Sequence, residues 1–252
     1  MKFSVNEFRD WNNKKVTLLG MSGVGKTYLS TLLSGRDWFH YSGDYRIGKR
    51  YLDEPIMDLI KQQAMQVPFL RDLLRRDWID IHNNIQVHDL GPVLSFVGKL
   101  GDTERGGVAL GEFSRRQALY RDGEIAAMHD VPEFIRKAQD IYGYQHFVND
   151  VGGSLCELEE PSVIDLLVEH TLILYIQVTD SDEEQKLIER AQSDPKPLYY
   201  RPAFLEEQLA AYLQETNLEY AAEMEPDEFT RWVFPRLFHS RIPRYEAIAE
   251  PH

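Results

Sequence analysis

Residues 20–35 read GMSGVGKTYLSTLLSG and follow the short apolar run VTLLG (16–20). Gly20, Gly25, Lys26 and Thr27 satisfy the spacing G-x-x-x-x-G-K-[ST]. Glycines at such positions let the backbone turn tightly, so several N–H groups converge on phosphate oxygens. A helix starting directly afterwards adds its positive N-terminal end. The sequence therefore predicts a buried strand closed by Gly20, a phosphate-binding loop, and a helix over Lys26–Leu33 with Gly35 as its C-cap. The nucleotide-binding set is Ser22, Gly23, Val24, Gly25, Lys26, Thr27 and Tyr28. Lys26 would reach the β and γ phosphates, and the Thr27 hydroxyl would ligate magnesium.

Working outward, three further strands are expected. WFHYS (38–42) leads into GD, YQHFVND (144–150) ends at Asp150, and HTLILYIQV (170–178) is the clearest apolar run in the chain. Apolar strands alternating with helices predict an α/β fold with a parallel sheet flanked by helices. Residues ~53 to ~143 interrupt that alternation. PIMDLIKQQAM, PFLRDLLRRDW, FSRRQALYRDGEIAAM and PEFIRKAQDIYG read mostly as helices, and GKLGDTERGG between them reads as a loop. This divides the chain into a nucleotide-binding core, 1–52 with 144–252, and a helical insertion, 53–143, that serves as a lid or as an acceptor or partner region.

Composition narrows the function classes. The chain has 252 residues, 43% hydrophobic, with a formal net charge of -13. That balance disfavours a uniformly basic nucleic-acid surface. With one cysteine, Cys156, neither an internal disulfide nor a cysteine zinc cluster can form, and Cys156 reads as a small buried hydrophobe. No signal-peptide pattern or bilayer-length apolar run is present, so no membrane partner and a cytoplasmic setting are expected. The histidines His40, His82, His88, His129 and His146 show no tight metal-ligand spacing.

In open parallel sheets ligands sit at the carboxyl ends of strands. At the second strand end, HYSGDYR places Asp44, able to orient or deprotonate an acceptor hydroxyl, and Arg46, able to clamp an anionic group. At the third, FVNDVGGS places Asp150 as a magnesium-side acid. Gly152 and Gly153 there would admit a substrate or γ-phosphate close to the backbone. In the insertion, Arg71, Arg75, Arg76, Arg105, Arg115, Arg116 and Arg121 are either solvated partners of nearby acids or the source of an anion-binding arginine.

The phosphate loop, the GD and the GG occur in the order of shikimate kinase and its small-molecule kinase relatives, and GDYR is similar to the acceptor strand of adenylylsulfate kinase. IERAQSDPKPLYY (188–200) resembles the shikimate kinase lid, with Lys196 where the family has arginine. HSRIPRYEAIAE (239–250) resembles that family's helix beginning Arg-x-Pro-x-Tyr-Glu. The resemblance implies a P-loop NTPase fold and a magnesium-dependent kinase that moves the γ-phosphoryl group of ATP to a small-molecule acceptor. It places Asp44, Gly152, Gly153 and Arg241 toward the acceptor, and Lys26 and Lys196 on the moving phosphoryl group. The other open reading is an ATP, less readily GTP, hydrolase or switch acting through a protein partner. DVGG is similar to a γ-phosphate-sensing segment of small GTPases, but TDSD stands after LILYIQV and no N-K-x-D guanine-reading motif follows.

Overall fold

The computed structural model describes residues 3–251. Its elements, in chain order, are α1 (Val5–Asp10), β1 (Lys15–Leu19), α2 (Lys26–Ser34), β2 (Trp38–Ser42) and α3 (Gly43–Arg46). A π-helical segment, Ile47–Leu52, leads into α4 (Asp53–Ala64), α5 (Pro68–Arg75) and α6 (Gly91–Val97). Then come α7 (Leu110–His129), α8 (Val131–Asp140), β3 (His146–Asp150), α9 (Pro161–His170), β4 (Leu172–Tyr175), α10 (Ser181–Ser193), α11 (Pro202–Thr216) and α12 (Pro226–Ala249). The chain is thus α/β, with helices on both sides of a four-stranded sheet in the order β2-β3-β1-β4. All three pairings are parallel.

The strands are short and apolar on both faces, as expected of a parallel sheet covered by helices. Val16 and Leu18 point to one face with Trp38, Val148 and Leu172, against Phe3, Phe8 and Trp11. Leu19, Tyr41, Phe147 and Ile173 belong to the cluster on the other face. Between strands, Thr17 and Thr171 share a 2.7 Å hydrogen bond, and Asn149 donates to Thr17 at 3.2 Å, while Asn149 Oδ1 is buried with no hydrogen-bond partner among the described residues.

Within 53–143 the four expected helices form as α4, α5, α7 and α8, with α6 as an additional short helix and a 3-10 turn, Thr103–Arg105, in the expected loop. They share their cores with the rest of the chain. Ile56, Phe96, Met128 and Ile135 pack with the sheet residues, and Leu100, Val108 and Phe113 pack with Tyr200, Leu209 and Phe229 of the C-terminal helices. Two local expectations change. The fourth strand is confined to Leu172–Tyr175, and only Ile176 N–H still reaches β1, donating to Leu19 O at 2.8 Å. Asp44 stands one step past the strand end, in the first turn of a helix where the Ser42 side chain caps Tyr45 N–H. No helix among the described residues is long and apolar enough to cross a membrane.

Candidate functional site

The register aligns three strand ends. Leu18 of β1 and Ser42 of β2 both pair with Asp150 of β3, so the loops that follow emerge at one sheet edge. β1 and β3 are neighbours whose connections leave in opposite directions, toward β2 and toward β4. A crevice opens between them for that reason.

On the β1 side, Gly23 and Gly25 have φ of 90° and 100°, a left-handed region costly for other residues. α2 begins at once, with no side chain capping its first turn. The N–H groups of that turn therefore lack intrahelical partners and carry the positive end of the helix dipole. Lys26 folds back across the loop, its Nζ donating to Gly20 O at 2.7 Å and Met21 O at 3.0 Å. It is only 6% exposed. Burial lowers its pKa, while the charges of Asp150 and Asp44 act in the opposite direction.

On the β2 side, Asp44 accepts from the Tyr120 hydroxyl at 3.2 Å. Its pKa is raised, first by burial and then by the neighbouring Asp150, against the pull of Lys26 and the Tyr120 hydrogen bond. Asp150 is buried beside His40, whose Nε2 is 3.5 Å from Oδ2. Gly153 presses against the phosphate loop. A Cβ there would sit 2.5 Å from Ser22 Oγ and 2.9 Å from Ser22 N. Tyr245 of α12 ties the same two loops together, donating to Gly153 O and touching Met21 Sδ.

These elements wall a cavity of about 570 Å³. Ser22, Gly23, Gly25, Lys26, Thr27 and Tyr28 line one side, Asp44, Gly152 and Gly153 the other, and Lys196 the rim. Lys196 is well exposed and 3.7 Å from Asp194. Val24 instead lines a neighbouring hollow with Ile176 and Val178.

Three expected site residues stand elsewhere. Arg46 turns away from the cavity, donating to Asp130 at 2.7 Å and lying over the Phe134 ring. Arg241 lies behind the wall, 2% exposed, donating to Tyr199 O and 3.5 Å from Glu157. Asp150 stays beneath the surface next to Lys26. Three of the insertion arginines are held by partners away from the cavity. Arg115 and Arg116 bind Glu112, and Arg121 donates twice to Leu158 O. The lining residues all lie outside 53–143, so that region backs the site rather than lining it. Cys156 is buried as expected, and burial pushes its thiol up to about 11.

Four contributors escape sequence reasoning. Arg190 of α10 reaches over the loop, its guanidinium donating to Gly23 O at 2.9 Å. Tyr120 and Glu124 come from α7, inside the insertion, and Tyr245 from α12. Arg190 carried a signal, since it stands six residues before Lys196 on the helix that leads into the expected lid, and so did Tyr245, the tyrosine of the Arg-x-Pro-x-Tyr-Glu stretch. No protein-family model matches this chain, and no curated protein matches it.

Proposed function

We propose that this chain is a P-loop phosphotransferase that binds magnesium-ATP in the cavity and passes the γ-phosphoryl group to a small-molecule hydroxyl. The observation that supports it most directly is the shared wall. The uncapped start of α2 and the buried Lys26 face one side of a single cavity, and Asp44 faces the other. A volume of about 570 Å³ lies within the range of small-ligand sites. Phosphoryl transfer asks a protein mainly for positioning and charge stabilisation. The loop N–H groups and Lys26 offer that to phosphate oxygens, and Arg190 and Lys196 add positive charge at the rim.

The donor set suits magnesium. Thr27 offers a hard oxygen ligand at the cavity wall, and Asp150, beneath the surface, would hold the ion through bound water. Among the described residues no three His, Cys, Asp or Glu side chains form a metal site of their own, which agrees with an ion carried largely by nucleotide phosphates and held by one or two protein oxygens. When bound, the ion would neutralise phosphate charge. Asp44, its basicity raised by burial, would accept the proton of the acceptor hydroxyl. Its place in the first turn of α3 holds it beside Gly152, where the acceptor can approach closely.

The test is equilibrium binding of ATP and GTP, followed by transfer to a metabolite panel. Wild type should bind ATP in preference to GTP, Lys26→Ala should bind neither, and at least one hydroxylated metabolite should be phosphorylated. Equal ATP binding by wild type and Lys26→Ala would overturn the reading. Brisk ATP hydrolysis with no acceptor turned over would favour a hydrolase instead.

A further inference from the structure

One buried acid beside the cavity has no part in the arrangement described so far. Glu124, on α7, is 0% exposed. Its Oε2 shares a 2.6 Å hydrogen bond with the Ser154 hydroxyl, and its Oε1 is buried with no hydrogen-bond partner among the described residues. Ser154 is also a neighbour of Tyr120, which donates to Asp44 Oδ1. Gly152, in the cavity wall, separates the two acids. A Cβ added there would be 3.0 Å from Asp44 Oδ1 and 3.0 Å from Glu124 Oε1.

Proton counting orders this chain of groups. Tyr120 spends its single proton on Asp44. If Glu124 is ionised, Ser154 must give its proton to Glu124, and the Tyr120 oxygen receives nothing. If Glu124 is protonated, it donates to Ser154, which frees the Ser154 hydroxyl to turn toward Tyr120 while Tyr120 donates to Asp44. The surroundings favour the second state. Burial holds the Glu124 carboxyl up at about 8. Asp44 on α3 adds to this, while the Ser154 hydrogen bond, Arg241 on α12 and Lys26 on α2 oppose it.

We propose that Glu124 is a positioning residue for Asp44, acting as a neutral hydrogen-bond donor through Ser154 and Tyr120. The chain fixes Asp44 Oδ1 and leaves Oδ2 for the acceptor hydroxyl. This rests on the reading of Asp44 as general base. In that step the acceptor O–H proton passes to Asp44 Oδ2 as the acceptor oxygen bonds to the γ-phosphorus. The bond from that phosphorus to the bridging oxygen breaks, and its electron pair leaves on the β-phosphate of ADP. Solvent later takes the proton from Asp44.

The test has two arms. In the first, carbon-13 carboxyl NMR of Asp- and Glu-labelled protein is titrated with pH, with Glu124→Gln and Asp44→Asn assigning the two resonances. The Glu124 resonance should titrate near 8, and the Asp44 resonance should move in both Ser154→Ala and Tyr120→Phe. A Glu124 titration at the ordinary 4.5, or an Asp44 resonance indifferent to both variants, overturns the proposal. In the second arm, ADP release from magnesium-ATP is followed against pH, with water or the best metabolite as acceptor. Glu124→Gln keeps a neutral donor, so its kcat should stay within about threefold of wild type while the fall in rate near pH 8 disappears. Ser154→Ala should lose about tenfold in kcat with the KM for ATP unchanged. An alkaline limb preserved in Glu124→Gln overturns the proposal. If wild type transfers no phosphoryl group at all, the kinase reading fails, and the NMR arm still decides whether Glu124 governs Asp44.

Discussion

Replacing the buried acid Glu124 by glutamine should stabilise the protein, and by an amount that grows with pH. In the folded chain the carboxyl is held at about 8 against an ordinary 4.5. A carboxyl raised on folding contributes stability that is fully present below its unfolded value and is lost as pH climbs toward its folded value. Between those limits the unfolded chain has released a proton that the folded chain keeps. Stability therefore falls by about 1.4 kcal/mol per pH unit from this group alone. From about pH 5 to about pH 8 the loss is roughly 3 kcal/mol. Glutamine is neutral throughout and escapes it. Its amide still donates to Ser154, and an imperfect hydrogen bond would return only about 1 kcal/mol. The variant should thus exceed wild type by roughly 2 kcal/mol near neutrality, about 4–8 °C in melting temperature for a chain of this size. Urea unfolding of both proteins across this pH range isolates the effect, because the other carboxylates titrate alike in both. Parallel stability curves would refute the argument, since they would mean that Glu124 is ionised and solvated in the folded chain.

Other perturbations address the site directly. Asp44→Asn should bind ATP as wild type does and lose at least about a hundredfold in transfer rate, measured as ADP formation in steady state. Gly153→Ala drives a Cβ to within 2.5 Å of Ser22 Oγ. It should cost roughly 1–3 kcal/mol by urea unfolding and weaken ATP binding by displacing the loop, with part of the stability returning in the double variant with Ser22→Ala. Arg190→Ala removes the guanidinium that covers Gly23 O. A charge-assisted hydrogen bond near phosphate predicts a loss of about tenfold in ATP affinity by calorimetry, with little change in melting temperature without nucleotide.

The sequence reached the strand ends and stopped at the side chains between them. Lys26, Thr27 and the glycines of the loop were legible because their spacing is local, and a strand–loop–helix turn needs little else. Asp44 and Gly152–Gly153 were legible because a parallel sheet directs strand ends to one edge. Arg46 and Arg241 were assigned to the acceptor from order along the chain and from resemblance. Their directions are set by partners distant in sequence, Asp130 for one and Tyr199 with Glu157 for the other. The insertion arginines could be read two ways, and for Arg115, Arg116 and Arg121 their nearest acids and carbonyls decided for the structural one.

By itself the sequence determined a glycine-rich strand–loop–helix turn, a parallel α/β arrangement and a long helical stretch between the second and third strands. Those features follow from spacing and periodicity, which act over a few residues. Only the tertiary structure decided that the helical stretch backs the cavity, that Tyr120 and Glu124 stand behind Asp44, and that Tyr245 clasps the two glycine loops. Burial and pairing between residues tens of positions apart set those outcomes. Desolvation decides which acid holds its proton, and it acts only once the chain has closed around it.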